Sequence, residues 1–256
     1  MLATDDKHSA LRALRQHFPL LEPAGSGDRP LQPVSGDRLA PAFFGQGLHE
    51  VIVETPADRI AASVFALAAA GYGKKRDRAL FFASLAAEGQ ERGLLYGVGL
   101  DRLGLDPSRV VLLFAPSEKT LLWAAEEAGS CKALAAGVIV LSRREKLYGF
   151  TESRRLKLRL EKSGTPLFIV RGRTGEASAA TARWRVGFAA SDGRQTPASP
   201  VPLLGRPRFR VCLERYAGRS PLQWEIELDE AYALRVVAPV SDRPAFKPRF
   251  HDQRAA

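Results

Sequence analysis

The sequence predicts an α/β fold: a mostly parallel sheet flanked by helices, with an antiparallel extension towards the C-terminus. Three observations carry this. Between residues 50 and 170, short β-branched apolar runs alternate with stretches of helical periodicity. Most of those runs are apolar throughout, as strands covered on both faces require. Beyond Arg183 the runs alternate apolar with polar residues and no helical stretch separates them, the pattern of antiparallel neighbours.

Taken in order, His8 to Phe18 reads as a short helix, with Leu11, Leu14 and Phe18 at i, i+3 and i+7 and Arg12 and Arg15 beside them. This stripe is too small to be a domain, so it is expected to dock, and it is a candidate self-association surface. Residues 22–41 are rich in Pro, Gly, Ser, Asp and Arg and read as an irregular arm. The expected organisation is therefore an arm at 1–40, a core at 41–238 and a basic tail at 239–256. The core opens with the strand Glu50 to Glu54, a turn at Thr55-Pro56 and a helix from Ala57 to Gly71. Ile60, Val64, Leu67 and Ala68 are expected as that helix's buried face, and Asp58 near its start suits the helix dipole.

Strands are then expected at 79–84, 110–115, 137–141 and 167–170. Helices are expected at 117–130, capped by Ser117, and at 151–162. Four strands follow at 184–190, 208–216, 223–228 and 232–237, with 193–205 as a proline-containing exposed loop. Trp184 and Trp224 are expected in the core and Trp123 half-buried.

At 256 residues and 45% apolar content the chain can bury one substantial core. No apolar run reaches the roughly 18 residues that cross a bilayer. The N-terminus has no basic segment followed by an apolar one, so no secretory signal or membrane contact is expected, and the cytoplasm is the expected compartment. Cys131 and Cys212 read as buried thiols, and the four histidines are scattered, so neither a disulfide nor a metal site is expected. The 38 Lys and Arg exceed the 28 Asp and Glu by 10, which favours contact with nucleic acid or an acidic protein surface. No hydrolase-type nucleophile motif accompanies His49.

The strand, turn and helix at 50–71 stand where a nucleotide-binding P-loop would be. That loop needs glycines to close backbone N–H groups around phosphate, a lysine to offset charge, and a Ser or Thr for Mg²⁺. Here the connection is Thr55-Pro-Ala-Asp-Arg-Ile-Ala-Ala62, without glycine or lysine. Ala61 and Ala62 fall at the lysine and hydroxyl positions, and Asp58 would oppose phosphate with like charge. Arg59 supplies a cation, but the backbone around it cannot wrap an anion. The strand that would end in a metal-binding carboxylate runs Gly137 to Leu141 and continues Ser142-Arg143. Neither nucleotide cofactor nor ATP hydrolysis is expected.

Several segments resemble the ImuA family, RecA-like accessory proteins of bacterial mutagenesis cassettes. Gly47-Leu-His-Glu-Val51 is similar to the family's start of the core. Leu95-Tyr-Gly-Val-Gly-Leu-Asp-Arg-Leu-Gly-Leu-Asp-Pro107 is similar to its LYGxGLxxLGLDP segment. Leu121-Leu-Trp-Ala-Ala-Glu-Glu127 resembles its ALWAxEE helix, with Leu122 in place of Ala. Thr151-Glu-Ser-Arg-Arg-Leu156, Ala182-Arg-Trp-Arg-Val186 and Arg208 to Glu227 match further segments, so the likeness spans roughly 45–230. It departs at Leu80-Phe-Phe-Ala-Ser84, which lacks the acidic residue that active RecA ATPases place after this strand. The resemblance implies a RecA-like core and a role in SOS-induced DNA damage tolerance. It also implies an ImuB-type partner related to Y-family polymerases, an error-prone replicative-type polymerase, and a place at the nucleoid during DNA damage. In RecA the arm packs on a neighbouring subunit, so Leu11, Leu14 and Phe18 become candidate contacts to a second copy or to RecA itself. Two other readings share parts of the pattern. A SulA-like division inhibitor has the same decayed core, but the arm and basic C-terminus fit it poorly. A DNA-binding RecA-like ATPase is opposed by the missing glycines and lysine.

Residues 142–162 hold eight Lys and Arg against three Glu. Arg155, Arg159 and Lys162 form a stripe at i, i+4 and i+7, a candidate surface for DNA phosphate, in weak nonspecific binding, or for an acidic partner. One of Arg154 and Arg155 is alternatively a buried ion-pair partner. Arg171 and Arg173 flank Gly172 after a core strand and are further candidate contacts, in a connector too short to insert between bases.

Overall fold

A computed structural model describes residues 34–35, 38–53, 55–72, 78–143, 145–172, 177–196, 199–203, 205–216, 221–229 and 234–239. Leu11, Leu14 and Phe18, Arg173 and the tail from Ser241 lie outside the described residues.

Short strands β1 (Val34–Ser35) and β2 (Arg38–Leu39) precede a 3-10 turn at Pro41–Phe44 and the first long strand, β3 (Gly47–Val53). Helix α1 (Arg59–Gly71), β4 (Ala79–Leu85), α2 (Ala86–Arg92), α3 (Gly97–Asp101), β5 (Val110–Ala115) and α4 (Glu118–Ser130) follow. Then come β6 (Leu134–Val140), α5 (Phe150–Ser163), β7 (Pro166–Arg171) and β8 (Ala182–Ala189). The remainder is β9 (Arg194–Thr196), β10 (Ser199–Leu203), β11 (Arg208–Tyr216), β12 (Leu222–Leu228) and β13 (Leu234–Pro239).

The main sheet runs β1-β2-β13-β12-β11-β8-β3-β7-β6-β4-β5. From β8 to β5 every neighbour is parallel, and from β8 outwards to β1 every neighbour is antiparallel. Inside the edge strand β5 the parallel half is covered on both faces, and the strands divide their side chains between the layers. Val138, Val140, Phe168 and Val170 pack towards α1, while Ile139, Leu141, Leu167 and Ile169 pack towards α4 and α5. That division is why these strands carry no polar alternation. Gly137 on β6 lets β7 approach closely, since an added Cβ would lie 2.5 Å from Leu167 Cδ1. Helix α4 begins as expected, with the Ser117 side chain accepting from Thr120 N. Helix α5 ends at Gly164, whose φ of 74° permits the left-handed cap.

The structure departs from the sequence reading in several places. Val34 to Leu39, expected in the irregular arm, joins the sheet through β13. The Pro41–Phe44 turn inserts Phe43 and Phe44 into an aromatic cluster with Phe65, Trp184 and Trp224, where Phe44 stacks on Trp184 at 5.1 Å. Such pairs add about 0.5–1.5 kcal/mol each beyond area burial, so this turn fastens the start of the core to the antiparallel half. Residues 193–205 contain the β9–β10 hairpin rather than only a loop. On α1 Leu67 and Ala68 are buried as expected, together with Ala61, Ala62, Phe65, Ala66 and Ala69, but Ile60 points outwards, 59% exposed. The alanines let the helix lie close on the sheet, and that close seating turns the larger Ile60 away. Cys131 is exposed and Cys212 half-buried, and Trp123 is exposed rather than half-buried.

Candidate functional site

The turn after β3 and the end of β6 meet in space, as their expected roles around a nucleotide require, but protein side chains join them. Asp58 is buried and does not face outwards. Its Oδ2 accepts from Thr55 N at 2.9 Å and Thr55 Oγ1 at 2.6 Å, and its Oδ1 accepts from Phe188 N at 2.8 Å. Both carboxylate oxygens are therefore engaged, one closing the turn as a capping box and the other tying it to β8. One backbone donor of this turn, Thr55 N, is thus directed at Asp58.

Arg59, the next residue, is 2% exposed. Its Nη2 donates to the main-chain oxygen of Leu141, one residue past β6. Its Nε lies 3.5 Å from Glu88 Oε2 on α2. One guanidinium thus spans the turn, the end of β6 and the helix after β4. Ala61 and Ala62, at the expected lysine and hydroxyl positions, are fully buried in the core. Next to Arg59 lies a hollow of about 200 Å³, lined among others by Ser84, Glu88 and Val140. Glu88 was not legible as a site residue. It lies four positions past Ser84, on a helix that the pattern did not announce.

A second polar cluster was missed altogether. Glu50, in the middle of β3, is fully buried. Its Oε1 accepts from Tyr148 Oη at 3.0 Å and Arg171 Nη1 at 3.1 Å, and its Oε2 accepts from Arg183 Nε at 3.0 Å. Arg171 Nε also donates to Glu145 Oε1 at 3.2 Å, and its guanidinium lies 4.8 Å from the centre of the Tyr148 ring. Two acids and two arginines balance, as burial of charge demands. Burial holds the Tyr148 hydroxyl well above its usual pKa, and the neighbouring Glu50 carboxylate adds to this. Burial pulls Arg171 down, but Glu50, Tyr148 and Glu145 carry it above the ordinary arginine value. The cluster ties Glu145 and Tyr148 to β3, β7 and β8 of the sheet. An acid inside the apolar run Glu50 to Val53 was the available signal, because such a residue needs a cationic partner.

Arg171 is consequently no surface contact: it is 1% exposed, which corrects its place among the candidate contacts. Arg155 Nη2 and Arg159 Nη2 each lie 3.0 Å from a Glu126 oxygen on α4, so the basic stripe is in part a clamp between α4 and α5. Arg154 and Lys162 are exposed on α5. Neither Arg154 nor Arg155 is the buried ion-pair partner; among the described residues the buried arginines are Arg59 and Arg171. Among the described residues no group of three or more His, Cys, Asp and Glu is placed to hold a metal. No helix among them is long and apolar enough to cross a membrane.

No known family profile matches the chain. Protein ImuA of Caulobacter vibrioides, in two strains, is 31% identical to it over 169 residues, covering 59% of this chain and 65% of the relative. Over those residues the chain is similar to ImuA. The match leaves about a third of the ImuA relatives' own length uncovered. Leu95 to Pro107 contains α3 and forms one wall of a groove of about 770 Å³. The opposite wall is Ile60, Val64 and Leu67 of α1, and Leu94 and Tyr96 stand exposed at the mouth, Tyr96 at 71%. Arg102 lies on its rim.

Proposed function

We propose that the chain is a non-catalytic RecA-like adaptor in SOS-induced DNA damage tolerance, supporting error-prone translesion synthesis with an ImuB-type partner. The observation that carries the reading is the Arg59 bridge. Between the turn and β6, where the resemblance would put phosphates and a metal, lies the Arg59 guanidinium, and the Asp58 carboxylate is held by hydrogen bonds from Thr55 and Phe188. A rigid two-faced core with such a site is suited to presenting surfaces rather than to turnover. In this reading the protein works in the cytoplasm, at the nucleoid during damage.

The α1–α3 groove is the surface offered to the partner. Its apolar walls suit aliphatic or aromatic anchors, and Arg102 on the rim suits an acidic residue beside them. Co-expression with the chain's own ImuB-like protein tests this. A stable complex is expected, lost on Ile60→Glu with Tyr96→Ala, two exposed positions whose change leaves the core intact. Failure to form any complex with both proteins folded overturns the adaptor reading, and a complex indifferent to the double substitution moves the interface off the groove.

A further inference from the structure

We infer that β5 is a self-pairing edge, through which two copies of this chain join their sheets antiparallel, β5 to β5. This goes beyond the adaptor reading and does not depend on it. Strand β5 ends the sheet and, among the described residues, pairs only with β4, so one side of its backbone has no strand neighbour there. Such edges are ordinarily guarded by charge, proline or a bulge. Val110-Val-Leu-Leu-Phe-Ala115 has none of these: it carries no charged residue and no proline, and its register with β4 is unbroken. It is also partly uncovered on both faces, although Leu113 and Phe114 are half-buried and Ala115 is buried. Val111 is 51% exposed and Leu112, pointing the opposite way, 40%. Trp123 of α4, 61% exposed, stands beside Leu113 over the Val111 face.

Apolar exposure on both faces of one edge distinguishes the occupant. A strand that continues the sheet covers both faces at once, whereas a helix laid on one face leaves the other bare. A second copy brings a matching edge with its own flanking layers, and the two-fold contact closes without leaving a new edge. The charges at the strand's ends fit the antiparallel arrangement. Asp106 and Arg109, which form an ion pair within the chain at 3.5 Å, precede β5, and Glu118, whose carboxylate accepts from Lys146 N and Leu147 N, and Lys119 follow it. Antiparallel pairing brings Asp106 near Lys119 and Arg109 near Glu118 of the other copy; parallel pairing sets each charge against its like.

The test is the mass of the full chain in solution, by light scattering and sedimentation across micromolar concentrations. A dimer is expected for the natural sequence. Val111→Lys and Leu112→Lys, each at an exposed position on a different face, should each raise the dimer Kd by at least about tenfold, with unchanged circular dichroism. Trp123→Ser, which leaves the strand untouched, should weaken the dimer too. A natural chain that stays monomeric throughout, or a dimer that all three substitutions leave intact, overturns the inference.

Discussion

Replacing Arg59 by Ala should destabilise the protein far more than loss of a surface arginine. The side chain is almost fully buried, donates to Leu141 O and lies 3.5 Å from Glu88, itself 14% exposed. Removing one partner of a buried ion pair costs about 3–5 kcal/mol, because the other charge is left unpaired. Residual exposure of Glu88 lowers the expected loss to about 2–4 kcal/mol. For a domain of this size that is a fall in Tm of roughly 4–16 °C. Urea unfolding of the natural chain, Arg59→Ala, Glu88→Ala and the double substitution gives the coupling directly. It should be about 1–3 kcal/mol, with the double substitution milder than the sum. Millimolar methylguanidinium should restore part of the stability of Arg59→Ala, by refilling the vacated position, and none in the natural chain. A loss below about 0.5 kcal/mol, the range of ordinary surface substitutions, would refute the bridge as the element that holds turn, β6 and α2 together.

Tyr148 should make the fold sensitive to alkali. Its folded pKa is raised, so the folded state holds a proton that the unfolded chain releases; the contribution is whole below the unfolded value near 10 and is lost as pH rises beyond it. Tm measured from pH 8 to 11 should fall more steeply for the natural chain than for Tyr148→Phe; parallel curves would remove the idea. Nonspecific duplex binding, expected from the +10 charge, should weaken on Arg155→Glu with Arg159→Glu, its log-log salt slope flattening by about 0.9 for each phosphate no longer neutralised. Glu126→Gln should do the reverse, since it releases both arginines from their carboxylate; opposite signs in a salt titration would exclude α5 as the DNA face.

What the sequence made legible follows from how local each signal is. β5 and β11 begin and end where their apolar and alternating runs do, and Ser117 caps α4 because capping depends on three residues. Sheet order was legible only as a class, since the pairing of β3 with β7 and β8 joins residues more than a hundred positions apart. The helix face of α1 was read in part: Leu67 and Ala68 are buried as expected, but a hydrophobicity count also favours Ile60, whereas close packing on the sheet selects the small Ala61, Ala62 and Ala69. That Ala61 and Ala62 stand at the expected lysine and hydroxyl positions was readable from the sequence. The Arg59 bridge was not: Arg59, Leu141 and Glu88 come from three separate segments. Glu50 with Arg171 and Arg183 was hidden for the same reason.

On the proposed reading, the core's own side chains stand where a nucleotide would be held. Calorimetric titration of the full chain with ATP and Mg²⁺ tests it most directly. No saturable heat is expected, and no phosphate release above a mock-purified control. A Kd in the micromolar range, or turnover that Arg59→Ala alters, would contradict it.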